Sequence, residues 1–463
     1  MHASPADTTL SLPQLRAELT GRVIGPEDAD YDSARTVFLG GVDKRPAVIV
    51  RVANADDVAY VIGLARRTGL ELAVRSGGHS SAGHSVTDGG IVLDLADMKA
   101  VDIDVERKTA WAETGLTALE YSQAVGEHGL ATGFGDTGSV GIGGITTGGG
   151  IGYLVRKFGM TIDALLAADI VTADGELLRV DADHHPDLFW AIRGGGGNFG
   201  VATRFQLRLS EVPTVVGGML ILPATAETVA GFIAASESAP EELTTIGNVM
   251  PCPPMPFVPE AQHGKLVIFA LMTYAGDTDA GQAALAPFRA LATPLADMLH
   301  PMPYPEIYPP EGDDYHPLAI SRTMFIDKVD APTAETIMKH LEASDAAMRV
   351  AQLRVLGGAM ARVPSDATAY AHRTPRILVN LATFYDGPDD QPKRQAWVDA
   401  FMEDLNQGED AAYVNFVADE GEERIRAAYP GATWDRLREI KRRYDPTNLF
   451  RLNQNIPPAG DGA

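Results

Sequence analysis

Cysteine is nearly absent from this chain, because Cys252 is the only one among 463 residues. A single thiol excludes an internal disulfide framework and is typical of proteins in a reducing compartment. The first residues contain neither the basic stretch nor the apolar stretch of a secretory signal. No apolar run reaches the length that spans a membrane. These absences predict a cytoplasmic protein that does not act at a membrane.

Basic residues are also scarce, since 38 lysines and arginines face 62 acidic residues and leave a net charge of -24. Nucleic-acid binding needs a basic surface, so this class of partner is excluded. The acidic excess indicates a well-solvated surface, with attraction of cationic substrates as the alternative. The 45% hydrophobic and 22% charged content is that of a globular protein. A chain of 463 residues is too long for one ordinary core, which predicts two lobes.

Glycine is abundant, with 47 residues, and much of it lies between positions 133 and 200. Two segments, 133–138 and 195–200, match the pattern G-x-G-x-x-G. A nicotinamide dinucleotide site needs a strand before this pattern and a helix N-terminus after it, facing the pyrophosphate. The first segment continues into more glycine and the second into a strand. We therefore reject a nicotinamide site.

The first third of the chain alternates strand and helix patterns. Residues 47–52 and 71–75 read as strands on either side of a helix over 54–69, which is capped by Asn54. Thr117 and Glu120 form a capping box for a helix that ends near residue 128.

The next segment favours strands. Residues 168–180 predict a hairpin that turns at Asp174–Gly175, and 201–210 alternates apolar and polar residues as a half-buried strand does.

The chain changes character between about residues 211 and 420. Prolines crowd positions 251–258 and 301–310, glycine clusters disappear, and strands such as 265–274 and 376–385 alternate with helical stretches. This change predicts a second lobe. An amphipathic helix over 434–444 and a short tail then close the chain.

Two glycine-rich segments are candidates for holding a ligand. Residues 75–85, RSGGHSSAGHS, follow a strand and have consecutive amides of the kind that cradle an anion. Residues 135–153 can line the other side of the same ligand. The alternative is that both segments are tight turns without a ligand.

Four motifs resemble those of one known family: RSGGHS at 75–80, GGITTGGGIGYLVRKFG at 143–159, FWAIRGGGGNFGVAT at 189–203 and YDPTNLFRLNQNI at 444–456. They are similar to the berberine bridge enzyme-like family, within the vanillyl-alcohol oxidase/p-cresol methylhydroxylase group of FAD proteins. Bacterial hydroxynicotine oxidases are near relatives. The resemblance covers nearly the whole chain in the same order.

The resemblance implies an α+β fold. A two-lobed FAD-binding domain of the PCMH type is expected from residues 1–210 and 421–463. A substrate domain over 211–420 is expected to carry an antiparallel sheet flanked by helices.

In this family the histidine of R-S-G-G-H is joined covalently to the flavin 8α-methyl carbon, and His79 occupies that position. The chemistry is reasonable because a neutral imidazole can attack the electrophilic form of that methyl group. The alternative is a histidine that only hydrogen-bonds its loop. Many relatives add a second bond from a cysteine at the position held here by Thr137, so a single linkage is expected.

The resemblance further implies a set of FAD-contacting residues around these motifs. They are Arg75, Ser76, Gly77, Gly78, His79, Ser80, Gly83, His84, Ser85, Thr137, Gly138, Ser139, Gly141, Gly143, Gly144, Gly149, Gly150, Tyr153, Gly200, Val201, Tyr413, Asn415, Asn453 and Asn455.

The chain departs from the family where the general base is expected. Many members read Y-x-N-Y, and the last tyrosine serves as or assists the base, whereas this chain ends the motif with Phe416. Either another residue replaces the base, or the substrate is an amine, which can release a hydride without one. The candidates for a replacement are Tyr370, His372, Tyr385 and His316.

The electron acceptor is a separate question. In relatives the residue five after the linked histidine lines the approach to the flavin, and His84 is bulkier here than the small residues of efficient oxidases.

These patterns predict a FAD-dependent oxidase or dehydrogenase that takes a hydride from a carbon beside oxygen or nitrogen in a small alcohol, sugar or amine, with O2 as a possible acceptor. A flavin-dependent cyclase or other redox-neutral enzyme is the second hypothesis. A flavin-carrying binding protein without turnover is the third, since Phe416 removes the usual base.

Overall fold

A computed structural model describes residues 10–308 and 315–460. The described chain is built from two sheets in its first half, a small two-stranded pair, and one large sheet in its second half. None of the helices in these two ranges is long and apolar enough to cross a membrane.

The first half supplies short strands and helices in alternation. Its strands are β1 (Arg22–Ile24), β2 (Val48–Arg51), β3 (Leu72–Arg75), β4 (Ile91–Asp94), β5 (Val101–Asp104), β6 (Thr109–Glu113), β7 (Leu130–Ala131), β8 (Leu165–Val171), β9 (Leu177–Asp181), β10 (Val201–Arg208) and β11 (Ser210–Glu211). Its helices are α1 (Leu12–Glu18), α2 (Tyr31–Arg35), α3 (Ala55–Thr68), α4 (Ala118–Gly126), α5 (Ile142–Gly148), α6 (Val155–Phe158), α7 (Thr161–Ala164) and α8 (Pro186–Ala191).

These strands form two distinct sheets. The first has the order β1-β2-β4-β3, and its β2–β4 and β3–β4 pairs are parallel. The second is antiparallel with the order β5-β6-β10-β8-β9. Strand β10 alternates buried and more accessible residues, as its sequence predicts.

The helix signals of the first half are confirmed. The Asn54 side chain accepts the Asp57 N–H at 3.0 Å, and Gly69 ends α3 at φ 69°. Both hydrogen bonds of the Thr117–Glu120 capping box are present at the start of α4. Local hydrogen-bonding chemistry was therefore sufficient to predict these boundaries.

One glycine-rich segment differs from its prediction. Residues 133–138 are followed by helix α5, which begins at Ile142, and are preceded by the two-residue strand β7. This helix could not be predicted from its residues because three of the seven are glycine, which disfavours helix. The nicotinamide site remains excluded, since β7 pairs antiparallel with β11 rather than joining a parallel sheet.

The second half is dominated by the large antiparallel sheet, with the order β15-β12-β14-β13-β18-β19-β17 and β16 beside β12. Its strands are β12 (Val215–Pro223), β13 (Leu243–Pro251), β14 (Leu266–Tyr274), β15 (Ala296–Asp297), β16 (His300–Met302), β17 (Ala319–Ile326), β18 (Arg349–Val355) and β19 (Ile377–Phe384). The helices here are α9 (Ala226–Ser238), α10 (Thr278–Arg289), α11 (Ala331–Ala343), α12 (Ala359–Arg362) and α13 (Gln391–Leu405).

The large sheet buries one face against helices. Ala351, Leu353 and Val355 of β18 belong to a core cluster with apolar residues of α9, α11 and α13. Successive side chains of a strand point to opposite faces, so Gln352 and Arg354 point away from these helices. The expected antiparallel sheet flanked by helices is confirmed, and its other face is available for a site.

The last segment contains helices α14 (Glu422–Ala428) and α15 (Ala432–Tyr444). Trp434, Leu437 and Ile456 share one hydrophobic cluster with Phe134 and Phe205 of the first half. The chain end therefore packs against the first half after the large sheet is complete.

Candidate active site

A cavity of about 470 Å³ lies between the two halves of the chain. One wall is formed by the loop after β3, by residues 135–147 and by residues 196–202. The opposite wall is formed by side chains of β17, β18 and β19, on the face of the large sheet that is turned away from its helices. Residues 413–417 and 452–454 complete it.

The glycine-rich wall depends on close approach of two backbone segments. A Cβ on Gly77 would collide with the backbone of Gly141, and a Cβ on Gly141 would collide with Gly77 and the Ser76 hydroxyl. Gly144, in contrast, has open space where its Cβ would be. This wall therefore presents backbone rather than side chains to whatever occupies the cavity.

Tyr413 and Asn415 brace the end of this wall. The Gly150 N–H and the Asn415 amide nitrogen each donate to the Tyr413 hydroxyl at 2.9 Å. The Asn415 amide nitrogen also donates to the Ile145 carbonyl at 3.1 Å. A Cβ on Gly148 would collide with the Asn415 amide, which explains the glycine at that position.

His79 is held on two sides. Its ring stacks on Phe38 with a centroid distance of 4.2 Å, and its Nε2 lies 3.0 Å from the Ser139 hydroxyl. Burial lowers the pKa of His79 to about 4, against a smaller opposing effect of a hydrogen bond to the Ser139 backbone. The imidazole is therefore neutral and fixed in orientation near pH 7.

The opposite wall is polar. Gln352 and Arg354 on β18, Asn380 on β19 and Ser321 on β17 all line the cavity. Asn380 lies directly across from Gln352 in the strand register. The Gln352 amide nitrogen is held by Asn248 at 2.9 Å, so this part of the wall is fixed.

Arg354 connects the two walls. Its Nη2 lies 2.8 Å from Asp136 Oδ2, on the glycine-rich side, and its Nη1 donates to the Ile151 carbonyl at 3.2 Å. Its guanidinium also lies over the Phe416 ring, 5.0 Å from the centroid. A charged pair and an aromatic ring therefore meet where the two halves face each other.

Comparison with known proteins agrees with this arrangement. The family described as "FAD binding domain" matches residues 46–181, and the family described as "Berberine and berberine like" matches residues 412–457. The uncharacterized FAD-linked oxidoreductase YvdP of Bacillus subtilis is 32% identical over 96% of this chain and 99% of its own. The chain belongs to the berberine bridge enzyme-like family of FAD-linked oxidoreductases.

Two further relatives and one solved structure are similar over almost their full lengths. The (R)-6-hydroxynicotine oxidase of Paenarthrobacter nicotinovorans is 29% identical over 96% of this chain and 98% of its own. The structure of 6-hydroxy-D-nicotine oxidase from Arthrobacter nicotinovorans has a TM-score of 0.84, covering 96% of this chain and 99% of that one. Xylooligosaccharide oxidase of Thermothelomyces thermophilus is 28% identical over 99% of this chain and 96% of its own. The PCMH-type FAD-binding fold and the enzyme class are thereby confirmed.

The cavity fits the FAD of a berberine bridge enzyme-like protein. Its glycine wall leaves backbone amides uncovered for a dinucleotide, and Gly144 leaves room beside them. Asn453 and His79 line the same cavity.

Most of the expected FAD-contacting residues meet in this cavity. Those lining it are Ser76, Gly77, Gly78, His79, Ser80, His84, Ser85, Thr137, Gly141, Gly143, Gly144, Gly200, Val201, Tyr413, Asn415 and Asn453. The others are found behind or beside it, namely Arg75, Gly83, Gly138, Ser139, Gly149, Gly150, Tyr153 and Asn455.

Two of the outlying residues have clear partners. Arg75 is buried and lies 2.7 Å from Asp94 Oδ2, so it fixes the start of the histidine loop. The Tyr153 hydroxyl donates to the Asp136 carbonyl at 3.2 Å.

None of the four candidate bases lines this cavity in the described ranges. Tyr370 and His372 are buried beside the site, and His372 Nε2 is held by the Ala427 carbonyl at 2.9 Å. Tyr385 lies against Gly41 at the edge of the large sheet. His316 lines a second cavity, which reaches His79 from outside, and its Nδ1 contacts the Val37 carbonyl at 2.9 Å. A catalytic role for these four receives no support from their positions.

The sequence alone did not predict the polar wall. Ser321, Gln352, Arg354 and Asn380 belong to no recognisable motif, and Asp136, which pairs with Arg354 from the glycine-rich segment 135–153, carries no signal of its own. A signal was present in β18, where polar residues at 352 and 354 alternate with apolar ones at 351, 353 and 355. That alternation identifies a strand with one polar face, although not what the face contacts.

Proposed function

We propose that this protein is a FAD-dependent oxidase or dehydrogenase that carries its flavin on a single covalent bond to His79. The observation that carries the proposal is one continuous cavity with His79 on the glycine wall and a polar substrate wall opposite. FAD in such a site supplies the acceptor for a hydride.

The protein contributes to flavin attachment an imidazole that is neutral and held in one orientation. Burial keeps His79 neutral, and the contacts to Phe38 and Ser139 hold its ring in one orientation. A neutral, oriented nitrogen is what attack on the flavin methyl group requires.

A single linkage follows from the residues near the second attachment position. Thr137 lines the cavity there and has no thiol, while Cys252 is buried in a cluster with Ile221, Val258 and Val267 of the second half. Peptide mapping should find flavin only on the peptide that contains His79. Flavin on the Cys252 peptide would contradict the single linkage.

The substrate in this proposal is a small organic molecule with an oxidisable C–H bond beside oxygen or nitrogen. The wall of Ser321, Gln352, Arg354 and Asn380 offers polar groups to it. Relatives named as oxidases of hydroxynicotine and of xylooligosaccharides fall within these classes. Oxygen as the acceptor and a cytoplasmic location belong to the same proposal.

We also propose the division into a FAD-binding domain (1–210 and 421–463) and a substrate domain (211–420). It is supported by the packing of Trp434, Leu437 and Ile456 against the core of the first half.

The test begins with acid precipitation of the purified yellow protein, after which flavin should remain with the chain. His79→Ala should release the flavin to the acid supernatant, while the matched variant of an exposed histidine, His128→Ala, should retain it. Anaerobic bleaching of the flavin by sugars, alcohols or amines then tests turnover, and oxygen uptake separates oxidase from dehydrogenase. Release of all flavin from the native protein by acid would show that the covalent assignment is wrong.

A further inference from the structure

The charged donor of the polar wall is largely occupied by contacts within the protein. Arg354 is the cation at this end of the cavity, and most of its N–H groups are already used. Its Nη2 donates to Asp136 and to Gln352 Oε1, its Nε donates to Gln352 Oε1, and its Nη1 donates to the Ile151 carbonyl. Arg354 therefore has little donor capacity left for a substrate.

The carboxylate that pairs with Arg354 keeps one acceptor atom unused. Asp136 binds Arg354 through Oδ2, and its Oδ1 has no hydrogen-bond partner in residues 10–308 and 315–460. The enclosed Oδ1 of Asn380, on the neighbouring strand, also has no partner there. An enclosed acceptor such as Asn380 Oδ1 is costly without a partner, and the Asp136 carboxylate, which is 18% exposed, adds an acceptor that a ligand in the cavity can reach, so a ligand with a hydrogen-bond donor is favoured there.

Asp136 is also near the position of the missing phenol. The Arg354 guanidinium contacts the Asp136 carboxylate on one side and lies 5.0 Å from the Phe416 ring centroid on another. The carboxylate and the ring therefore flank one cation, and both line the cavity. A carboxylate can receive a proton where a phenyl ring cannot.

The segment that carries Asp136 is held from behind by buried phenols. Tyr153 donates to the Asp136 carbonyl at 3.2 Å, and Tyr308 donates to the Gly135 carbonyl at 3.4 Å. Burial raises the pKa of Tyr308 to about 12, so it stays protonated and remains a donor. These contacts, with Arg354 in front, fix the carboxylate in place.

We propose that Asp136 is the residue that binds the substrate's hydroxyl group and accepts its proton, with Arg354 as its positioning residue. The inference rests on the proposed function and specifies its substrate class as a neutral alcohol or sugar. As the substrate is oxidised, the O–H proton passes to Asp136 Oδ1, the C–H hydrogen leaves with its electron pair as hydride to FAD, and a carbon–oxygen double bond forms.

The main variant is Asp136→Asn, which keeps an acceptor for Arg354 and removes the basic group. The control is Asp97→Asn, the same change at an exposed aspartate outside the cavity. Anaerobic flavin reduction is followed in a rapid-mixing experiment with a hydroxyl panel (xylobiose, D-glucose and benzyl alcohol) and with pyrrolidine as the amine probe. The holoenzyme is used throughout.

We expect a member of the hydroxyl panel to reduce the flavin, and Asp136→Asn to slow that step by about 10²-fold or more. Asp97→Asn should match the wild type. Asp136→Asn should lose some thermal stability, because the buried Arg354 guanidinium loses its counter-charge, while its flavin content should stay close to that of the wild type.

A second measurement does not depend on turnover. Calorimetry gives the affinity of the photoreduced enzyme for the hydroxyl probe that reduces the flavin. Asp136→Asn should bind it nearly as well as the wild type, while Asp136→Ala, which removes the acceptor, should bind it about tenfold more weakly or worse.

Several outcomes would overturn the inference. One is flavin reduction by Asp136→Asn at the wild-type rate with a loss of thermal stability alone, which is the result of a purely structural ion pair. If the flavin is held covalently but no member of the hydroxyl panel reduces it, the assigned substrate class is wrong, whatever pyrrolidine does. Release of the flavin by acid is a different result, because it contradicts the proposed function itself.

Discussion

His84 shows how burial of a single residue sets a pH dependence. It lines the cavity, and burial lowers its pKa to about 4, with Lys44 lowering it further and Asp419 and Glu71 acting in the opposite direction. The folded pKa is thus below the ordinary value of 6.5. Between these values the unfolded chain binds more protons than the folded one, so stability falls as the pH falls from about 6.5 to about 4.

His84→Gln should therefore flatten part of this acid limb. The measurement is the free energy of unfolding in urea at a series of pH values from 7 to 4, with the exposed-site variant His128→Gln as the control. The wild type and His128→Gln should lose stability in parallel on acidification, and His84→Gln should lose less. Equal slopes for all three would show that His84 is accessible to protons in the folded state.

Phe416 offers a second test at the scale of one residue. Its ring lies beside the Arg354 guanidinium, and a nearby cation favours the ionised form of a phenol. Phe416→Tyr should therefore place a competent proton acceptor in the site. In the Asp136→Asn background we expect it to restore flavin reduction by a hydroxyl substrate about tenfold or more, by rapid mixing.

The matched measurement uses an amine substrate, whose free base needs no proton acceptor. Phe416→Tyr should leave that rate within about twofold, in contrast to the hydroxyl substrate. A failure to restore the hydroxyl rate would show that position 416 does not face the reacting carbon in this protein.

At the scale of elements, helix α15 is joined to the cavity wall by a buried ion pair. Lys441 and Asp445 are both 0% exposed, and the Lys441 ammonium also donates to the carbonyls of Asn198 and Phe450 at 2.7 and 3.1 Å. Asn198 in turn lines the cavity. The helix therefore holds one end of the expected FAD site through a single ammonium group.

Asp445→Asn should destabilise the protein by about 3–5 kcal/mol, because it leaves a buried ammonium without its counter-charge. Denaturant unfolding followed by flavin fluorescence measures this loss. Asp435→Asn, at an exposed position of the same helix, should cost far less. The double variant Lys441→Met/Asp445→Asn removes the unpaired ammonium and keeps a side-chain acceptor for the N–H groups of Leu449 and Phe450, so it should recover part of the stability, and a double variant as unstable as Asp445→Asn would argue against an unpaired charge as the cause.

The elements that could be predicted from sequence are those with local signals. Helices α3 and α4 carry their caps in the sequence, and the β8–β9 hairpin turns at Gly175, which has φ 87°. Helix α5 could not be predicted, because its glycines disfavour helix, and only close contacts of Gly143 with Ser76 and of Gly148 with Asn415 explain two of the three. Helix caps and turn residues predict an element well, except where close contact between segments that are distant in sequence determines which residues are present.

The same contrast applies to the site. A contiguous motif predicted His79 and its glycine loop, whereas Asp136 pairs with Arg354 of the polar wall, which is more than two hundred positions away in the sequence. No spacing rule connects a loop of the first half to a strand of the large sheet. The candidate bases Tyr370 and His372 do not line the cavity for the same reason, because residue type alone does not show which face of the fold a side chain occupies.

At the scale of the whole molecule, the site depends on how firmly the two halves are joined. Arg156, which follows the glycine-rich wall, is buried with 5% of its surface exposed. Its guanidinium donates to the carbonyls of Ser236, Ala239 and Leu243 at 3.0, 3.0 and 2.8 Å, at the end of α9 and the start of β13. One side chain thus fixes the glycine wall to the large sheet that carries the polar wall.

Arg156→Met should therefore loosen the two walls relative to each other. The change keeps much of the apolar stem but leaves three buried carbonyls without their donor, and hydrogen bonds from a charged group contribute about 1.5–3 kcal/mol each. We expect the free energy of unfolding to fall by about 3 kcal/mol or more in guanidinium titration. Arg107→Met, at a side chain that is 84% exposed, is the control and should change it little. We also expect KM for the reducing substrate to rise more than kcat falls, because the FAD site belongs to the glycine wall and the polar wall opposite it shifts. If Arg156→Met matched the control in both stability and KM, the two halves would have to be joined by their other contacts alone.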